Sequence, residues 1–123
     1  MNRPIEEIKG LIKDKKRIIQ EEQSKILELK KELCQALTEK FTDDTGIKEG
    51  DKFKRRENLG VVGKRRIEHL SYGFFVGFGL NSYGNVVFVY ADVKKDGTKS
   101  KTIHNREYSS IDFHISEYEK AQD

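Results

Sequence analysis

Tryptophan is absent from this 123-residue chain, and cysteine, proline and methionine occur once each. The single cysteine, Cys34, can neither close an internal disulfide nor build a thiolate metal site, which points to a reducing, cytoplasmic setting. No apolar run approaches the roughly 20 residues needed to span a bilayer, so no membrane partner is expected. The opening Met1-Asn2-Arg3-Pro4-Ile5-Glu6-Glu7 lacks the apolar core and small-residue cleavage site of an export signal. Catalytic signatures are equally scarce. His69, His104 and His114 share no metal-ligand spacing, so no metal and no cofactor are predicted. Ser109-Ser110 lies in a polar turn without the context of a nucleophile elbow. Gly77-Phe78-Gly79 is not followed by the third glycine and helix of a dinucleotide site. Gly60-Val61-Val62-Gly63 has the spacing of a backbone-clamping GxxG loop but not the flanking helices. Asp43-Asp44 reads as a capped, solvated helix end. No enzyme is predicted.

Charged residues make up 37% of the chain and the hydrophobic set 35%, with a net charge of +3. Those averages hide two unlike segments. All twelve aromatic residues and nine of the ten glycines fall at or beyond Phe41. The composition therefore divides the chain into 1–41, a long amphipathic helix, and 42–123, a small β domain with an acidic tail.

In the first segment Ile5, Ile12, Ile19, Ile26 and Leu33 recur every seven residues. Ile8 and Leu29 fall at the intervening d-type positions, as do Lys15, Glu22 and Ala36. This is the 3-4 spacing of a coiled-coil seam, interrupted by charge at its middle. Pro4 suits the first helical turn, where its missing N–H costs nothing. A helix from Pro4 to Lys40 would run roughly 55 Å, longer than a small barrel is wide. Ile5, Ile8, Ile12, Ile19, Ile26, Leu29 and Leu33 are thus candidates for packing on the domain itself, on a dedicated partner or on a second copy, with a homo-oligomer favoured. Isoleucine at a with leucine at d suits a parallel dimer, against which the two charged d positions weigh. Antiparallel pairing or a helical break, for which Gly10 offers a kink, would bring Lys15 and Glu22 together.

The second segment reads as short strands. Lys52–Arg56 follows a Gly50-Asp51 turn, and Glu57 to Gly63 reads as a connecting loop. From Leu70 to Leu80 large residues alternate with glycine or serine, which predicts a strand with Phe75 on the small-residue face. Val86–Val93 is apolar on both faces and hence central. Asp96-Gly97 predicts a two-residue hairpin turn. Lys101–Tyr108 returns as the paired strand, and Ile111, Phe113 and Ile115 suggest a last one. The expectation is α+β: a long coiled-coil-like helix, then a small five-stranded antiparallel SH3-like β-barrel.

Gly46-Ile47-Lys48-Glu49-Gly50-Asp51-Lys52-Phe53 resembles the opening strand of KOW, Tudor and other SH3-like barrels. Gly77-Phe78-Gly79-Leu80-Asn81-Ser82-Tyr83-Gly84-Asn85, followed by Lys94-Lys95-Asp96-Gly97-Thr98, is similar to small proteins of phages and mobile elements. The first resemblance implies a barrel. The second implies a host cytoplasm and a counter-defence role, as an anti-CRISPR-like inhibitor or a sponge for a nucleotide signal.

Charge supplies the main functional clue. Between Lys48 and Arg66 there are eight Lys or Arg against three acids, while the tail from Glu107 onward carries five acids against Lys120. Lys52, Lys54, Arg55, Arg56, Lys64, Arg65, Arg66, Lys94 and Lys95 are therefore candidates for binding an anionic partner. Tyr72, Phe75, Tyr83 and Tyr90 are candidates for stacking on a base. The reading is a non-enzymatic interaction protein that binds nucleic acid, a nucleoprotein complex or a nucleotide-like ligand.

Overall fold

The computed structural model describes residues 3–109 and 113–121. A helix, α1 (Ile5–Thr45), leads into five strands: β1 (Lys52–Val62), β2 (Arg65–Leu80), β3 (Val86–Val93), β4 (Lys99–Glu107) and β5 (Tyr118–Lys120). A single 3-10 turn, Ile115–Glu117, precedes β5. The strands form one antiparallel sheet in the order β4-β3-β2-β1-β5, so β4 and β5 are its two edges. The protein is α+β, with an open sheet.

The helix runs past the compositional boundary and stops at Gly46, whose φ of 76° lets its N–H turn back to the Thr42 carbonyl. Thr42 donates its hydroxyl to the Ile47 carbonyl, and the Ile47 N–H donates to the Thr45 hydroxyl. Ile47 is thereby delivered into the core directly after the helix. Phe41 enters the same core, packing at 4.6 Å from Phe75, 5.3 Å from Phe88 and 5.5 Å from Tyr118 between ring centroids. Residues on both sides of the expected 41/42 division thus share one core, completed by Phe53.

The alternation read along β2 does not survive intact. The register between β2 and β3 shifts between Phe75 and Gly77, leaving Val76 as an extra, exposed residue. Before this bulge the inward positions are Gly73 and Phe75; after it, Phe78 turns in as well. A period of two would have put Phe75 and Phe78 on opposite faces. Gly77 makes the bulge with φ 143°, and its bare Cα lies against Thr38 and Glu49. Gly73 answers a different demand, since a Cβ there would come within 2.8 Å of the Phe53 ring.

Three other expectations change. Glu57 to Gly63 is not a loop: β1 continues to Val62, and Gly63-Lys64 turns it into a β2 that starts at Arg65. A second bulge between Asn58 and Gly60 conceals this strand from a simple alternation count. The β3–β4 connection closes with Lys94 N–H to the Thr98 carbonyl and Gly97 N–H to the Lys94 carbonyl, a three-residue loop in place of two. At the C-terminal end, Ile111 lies outside the described residues, Ile115 opens the 3-10 turn, and the fifth strand is Tyr118–Lys120.

The bulge also frees the Phe78 N–H from the sheet ladder, and Thr38 of α1 accepts it at 2.9 Å while donating its own hydroxyl to the Cys34 carbonyl. Thr38→Val keeps the shape and removes both bonds. It should cost about 1–3 kcal/mol by leaving the Phe78 N–H unpaired, while Thr38→Ser should cost less. Urea denaturation of the two variants checks the order.

Candidate anion-binding surface

The structure sorts the nine candidate cations into two groups. β5 pairs with β1 so that Glu119 lies opposite Lys54 and Tyr118 opposite Arg55. Glu119 consequently receives Lys54 at 2.8 Å and Arg56 at 3.7 Å. Arg55 reaches Glu117 at 3.2 Å and Glu57 at 3.6 Å, and its guanidinium lies 6.0 Å from the Tyr118 ring centre. Arg56 also faces Glu68 at 3.8 Å. Lys54, Arg55 and Arg56 are thus neutralised by the acidic tail and by their own ribbon. They hold β5 in place and have little charge left for a ligand.

Lys64, Arg65, Arg66, Lys94 and Lys95 form no ion pair among the described residues. The same holds for Lys52, which lies 5.7 Å from the centre of the Tyr72 ring. These residues share one end of the sheet. The β3–β4 loop carries Lys94 and Lys95 to a shallow groove of about 500 Å³ lined also by Lys52, Leu70, Ser71, Tyr72 and one acid, Asp92, whose carboxylate meets His104. Beyond it, β1 and β2 continue without β3 beside them, because the β2–β3 ladder ends at Phe74↔Ala91. Their outer part is a two-stranded ribbon in which residues 58–70 are all exposed. It extends roughly 20 Å past the sheet at a strand rise of about 3.3 Å per residue, with Lys64, Arg65 and Arg66 at its end.

The stacking candidates separate just as clearly. Tyr72 is 48% exposed and stands among the unpaired lysines of the groove. Phe75 is 0% exposed, so it has no ring face for a base and is a core residue. Tyr83 is exposed but sits in the β2–β3 turn, at the opposite end of β2 from the ribbon. Tyr90 is half-buried on the inner face of the sheet, edge-on to Phe53 and 5.5 Å from the His104 ring.

Two residues escaped the sequence reading. Arg106 donates to the Tyr118 hydroxyl at 3.3 Å and borders an open cleft of about 720 Å³ in which Arg56 and Arg66 stand beside Glu57, Glu68 and Glu117. Asp92 meets His104 Nε2 at 2.6 Å. The first contact links the two opposite edge strands, β4 and β5, and the second links the neighbours β3 and β4, so single positions in the sequence carry no trace of either. Burial pushes the Cys34 thiol and the Tyr118 phenol up from their ordinary values, so neither is primed for chemistry. Among the described residues, no group of three or more His, Cys, Asp and Glu side chains converges on a metal site. No described helix is long and apolar enough to cross a membrane.

The proposed seam residues Ile5, Ile8, Ile12, Ile19, Ile26, Leu29 and Leu33 are all exposed, whereas Cys34 and Phe41 of the same helix are buried. No family model, curated protein or solved structure matches the chain.

Lys54 holds the Glu119 carboxyl below its ordinary 4.5, first by hydrogen bond and then by charge. The Lys48 backbone N–H does the same for Asp51, ordinarily 3.8, with Lys120 assisting. Both groups bind fewer protons folded than unfolded in mild acid. Their stabilisation is therefore complete above about pH 5 and is lost as pH falls through the depressed folded values. Denaturation midpoints should drop between about pH 5 and pH 3, and Asp51→Asn with Glu119→Gln should flatten that limb. An unchanged acid limb in the double variant would contradict the assignment.

Proposed function

We propose that this is a non-catalytic binding protein whose β1–β2 ribbon and lysine groove engage an anionic partner, with nucleic acid or a nucleoprotein as the favoured class. One observation carries the reading: the cations at the base of the ribbon are matched by acids, while those at its end and around Tyr72 are left unmatched. An isolated two-stranded ribbon is gained at a stability cost, since it buries nothing of its own. A ribbon of that width enters the DNA major groove, and arginines and lysines at its end reach phosphates on either side. Tyr72 offers a partly exposed ring for a base, steadied by Lys52. The arrangement of the sheet also supports an SH3-like reading: its meander returns a short last strand beside the first, although the edges β4 and β5 stay unpaired.

Lys52, Lys64, Arg65, Arg66, Lys94 and Lys95 supply at most six phosphate contacts, so log K against log salt should fall with a slope no steeper than about −5. Fluorescence polarisation with a labelled duplex and a single strand measures it. Replacing Lys64, Arg65 and Arg66 with Gln should weaken binding uniformly across sequences and reduce the slope by about 3. Replacing Lys54 and Arg56 with Gln should leave the slope unchanged. Absence of binding to DNA and RNA at low salt would overturn the nucleic-acid reading.

A second reading, a counter-defence inhibitor that docks on a host protein, draws on the exposed apolar residues Leu59, Val61, Val62 and Ile67 of the same ribbon. In that case protection of phage in a plating assay would survive the Gln substitutions and be lost when Val61 and Ile67 become Ser.

A further inference from the structure

We infer that two copies of this chain pair through α1 in antiparallel orientation, with Ile12 of one helix opposite Leu29 of the second copy, Ile8 opposite Leu33 and Ile5 opposite Ala36. Three observations lead there. The first is exposure along the whole seam: Ile5 is 70% exposed, Ile19 54%, Leu29 63% and Leu33 47%. Leu33 stays open although the next residue, Cys34, is buried.

The second is the face by which the helix is held. It is tied to the sheet unit by Lys30, which donates to the Gly84 carbonyl of the β2–β3 turn, by Thr38, which accepts from the Phe78 N–H, and by the buried Cys34 and Phe41. Cys34 and Phe41 each follow a seam position by one residue, a rotation of about 100° around the helix. The domain thus grips one stripe of α1 and leaves the other free along its full length. A long helix with a bare apolar stripe is marginal in water, since tertiary packing supplies most helical stability. A seven-residue repeat matches another helix with the same repeat, because only then does the seam stay in register along the pair.

The third is charge. Lys15 and Glu22 sit at d-type positions inside the seam. A parallel, in-register pair would set Lys15 against Lys15 and Glu22 against Glu22. The antiparallel pair places Lys15 opposite Ile26 and Glu22 opposite Ile19 of the second copy. Each lysine is then diagonal to the partner helix's glutamate, about 6 Å along the axis. The pairing is isologous and closes as a two-fold dimer. It sends the two sheet units to opposite ends of the rod, each with its ribbon free. The inference stands apart from the anionic-partner reading: a dimer that binds no nucleic acid would keep the one and remove the other.

Light scattering coupled to size exclusion on the full chain should give twice the 14.3 kDa chain mass. Lys15→Glu should weaken the dimer on the order of tenfold, because both cross-pairs become repulsive. Adding Glu22→Lys should restore it, since the pair is merely inverted. In a parallel dimer the single change swaps one like-charge layer for another and costs nothing.

Orientation is read directly by disulfide trapping in a Cys34→Ser background. Ile8→Cys with Leu33→Cys should give a covalent dimer on mild oxidation, and Ile8→Cys alone should not. Near-UV circular dichroism verifies that each variant keeps its folded core, because every aromatic lies at or beyond Phe41 and residues 5–29 of α1 are all exposed. A monomeric mass, or cross-linking by Ile8→Cys alone, overturns the inference.

Discussion

The insertion of one ring, Phe41, between Phe75, Phe88 and Tyr118 is the contact from which the remaining geometry follows. It is the point where the helix, the middle of the sheet and the last strand meet. To surround it, β2 must present both Phe75 and Phe78 on one face, three residues apart, which a regular strand cannot do. The Gly77 bulge solves this and in doing so frees a backbone N–H, which Thr38, one turn before Phe41, accepts. Ring, bulge and hydroxyl are therefore one device. Because Phe41 and Cys34 lie seven residues apart, the device also fixes the helix's rotation and turns the isoleucine stripe away from the sheet.

Charge placement follows from the same anchoring. Tyr118 is drawn under Phe41, and its neighbours Glu117 and Glu119 are carried to the basic strand β1. The acidic tail thereby acts as an internal counterion, selective by position. Exposed pairs of this kind add little stability one by one. Their larger effect is to sort the cations, cancelling those near β5 and sparing those on the ribbon and the β3–β4 loop, beyond the reach of a three-residue strand.

Much of this architecture was legible in the residues. The sevenfold isoleucines announced the helix and its stripe, and Val86–Val93 announced a central strand, flanked as observed by β2 and β4. The number of strands was legible too. What stayed hidden is what bulges hide. Period-two counting across Phe75–Phe78 set the two rings on opposite faces, and across Asn58–Gly60 it turned a strand into a loop. A bulge is a relation between two strands, so a single strand read alone records it only as a glycine in an odd place. The same applies to the cations: their number was readable, but which of them met an acid depended on the β1–β5 register.

Arm and ribbon are both solvent-exposed, residues 5–29 of α1 on one side and residues 58–70 of β1 and β2 on the other. A change at the seam therefore has no packing route to Tyr72 or Arg65, and binding at the ribbon has none to Ile19. If both act, they combine through geometry. A rod with a cationic ribbon at each end presents two weak sites at a fixed separation, and the second contact then forms at the effective concentration set by that separation. The gain is large for a partner whose charge repeats along its length and negligible for a compact anion. In such a protein selectivity for extended polyanions over single nucleotides would come from the helix, although every contact with the ligand belongs to the sheet.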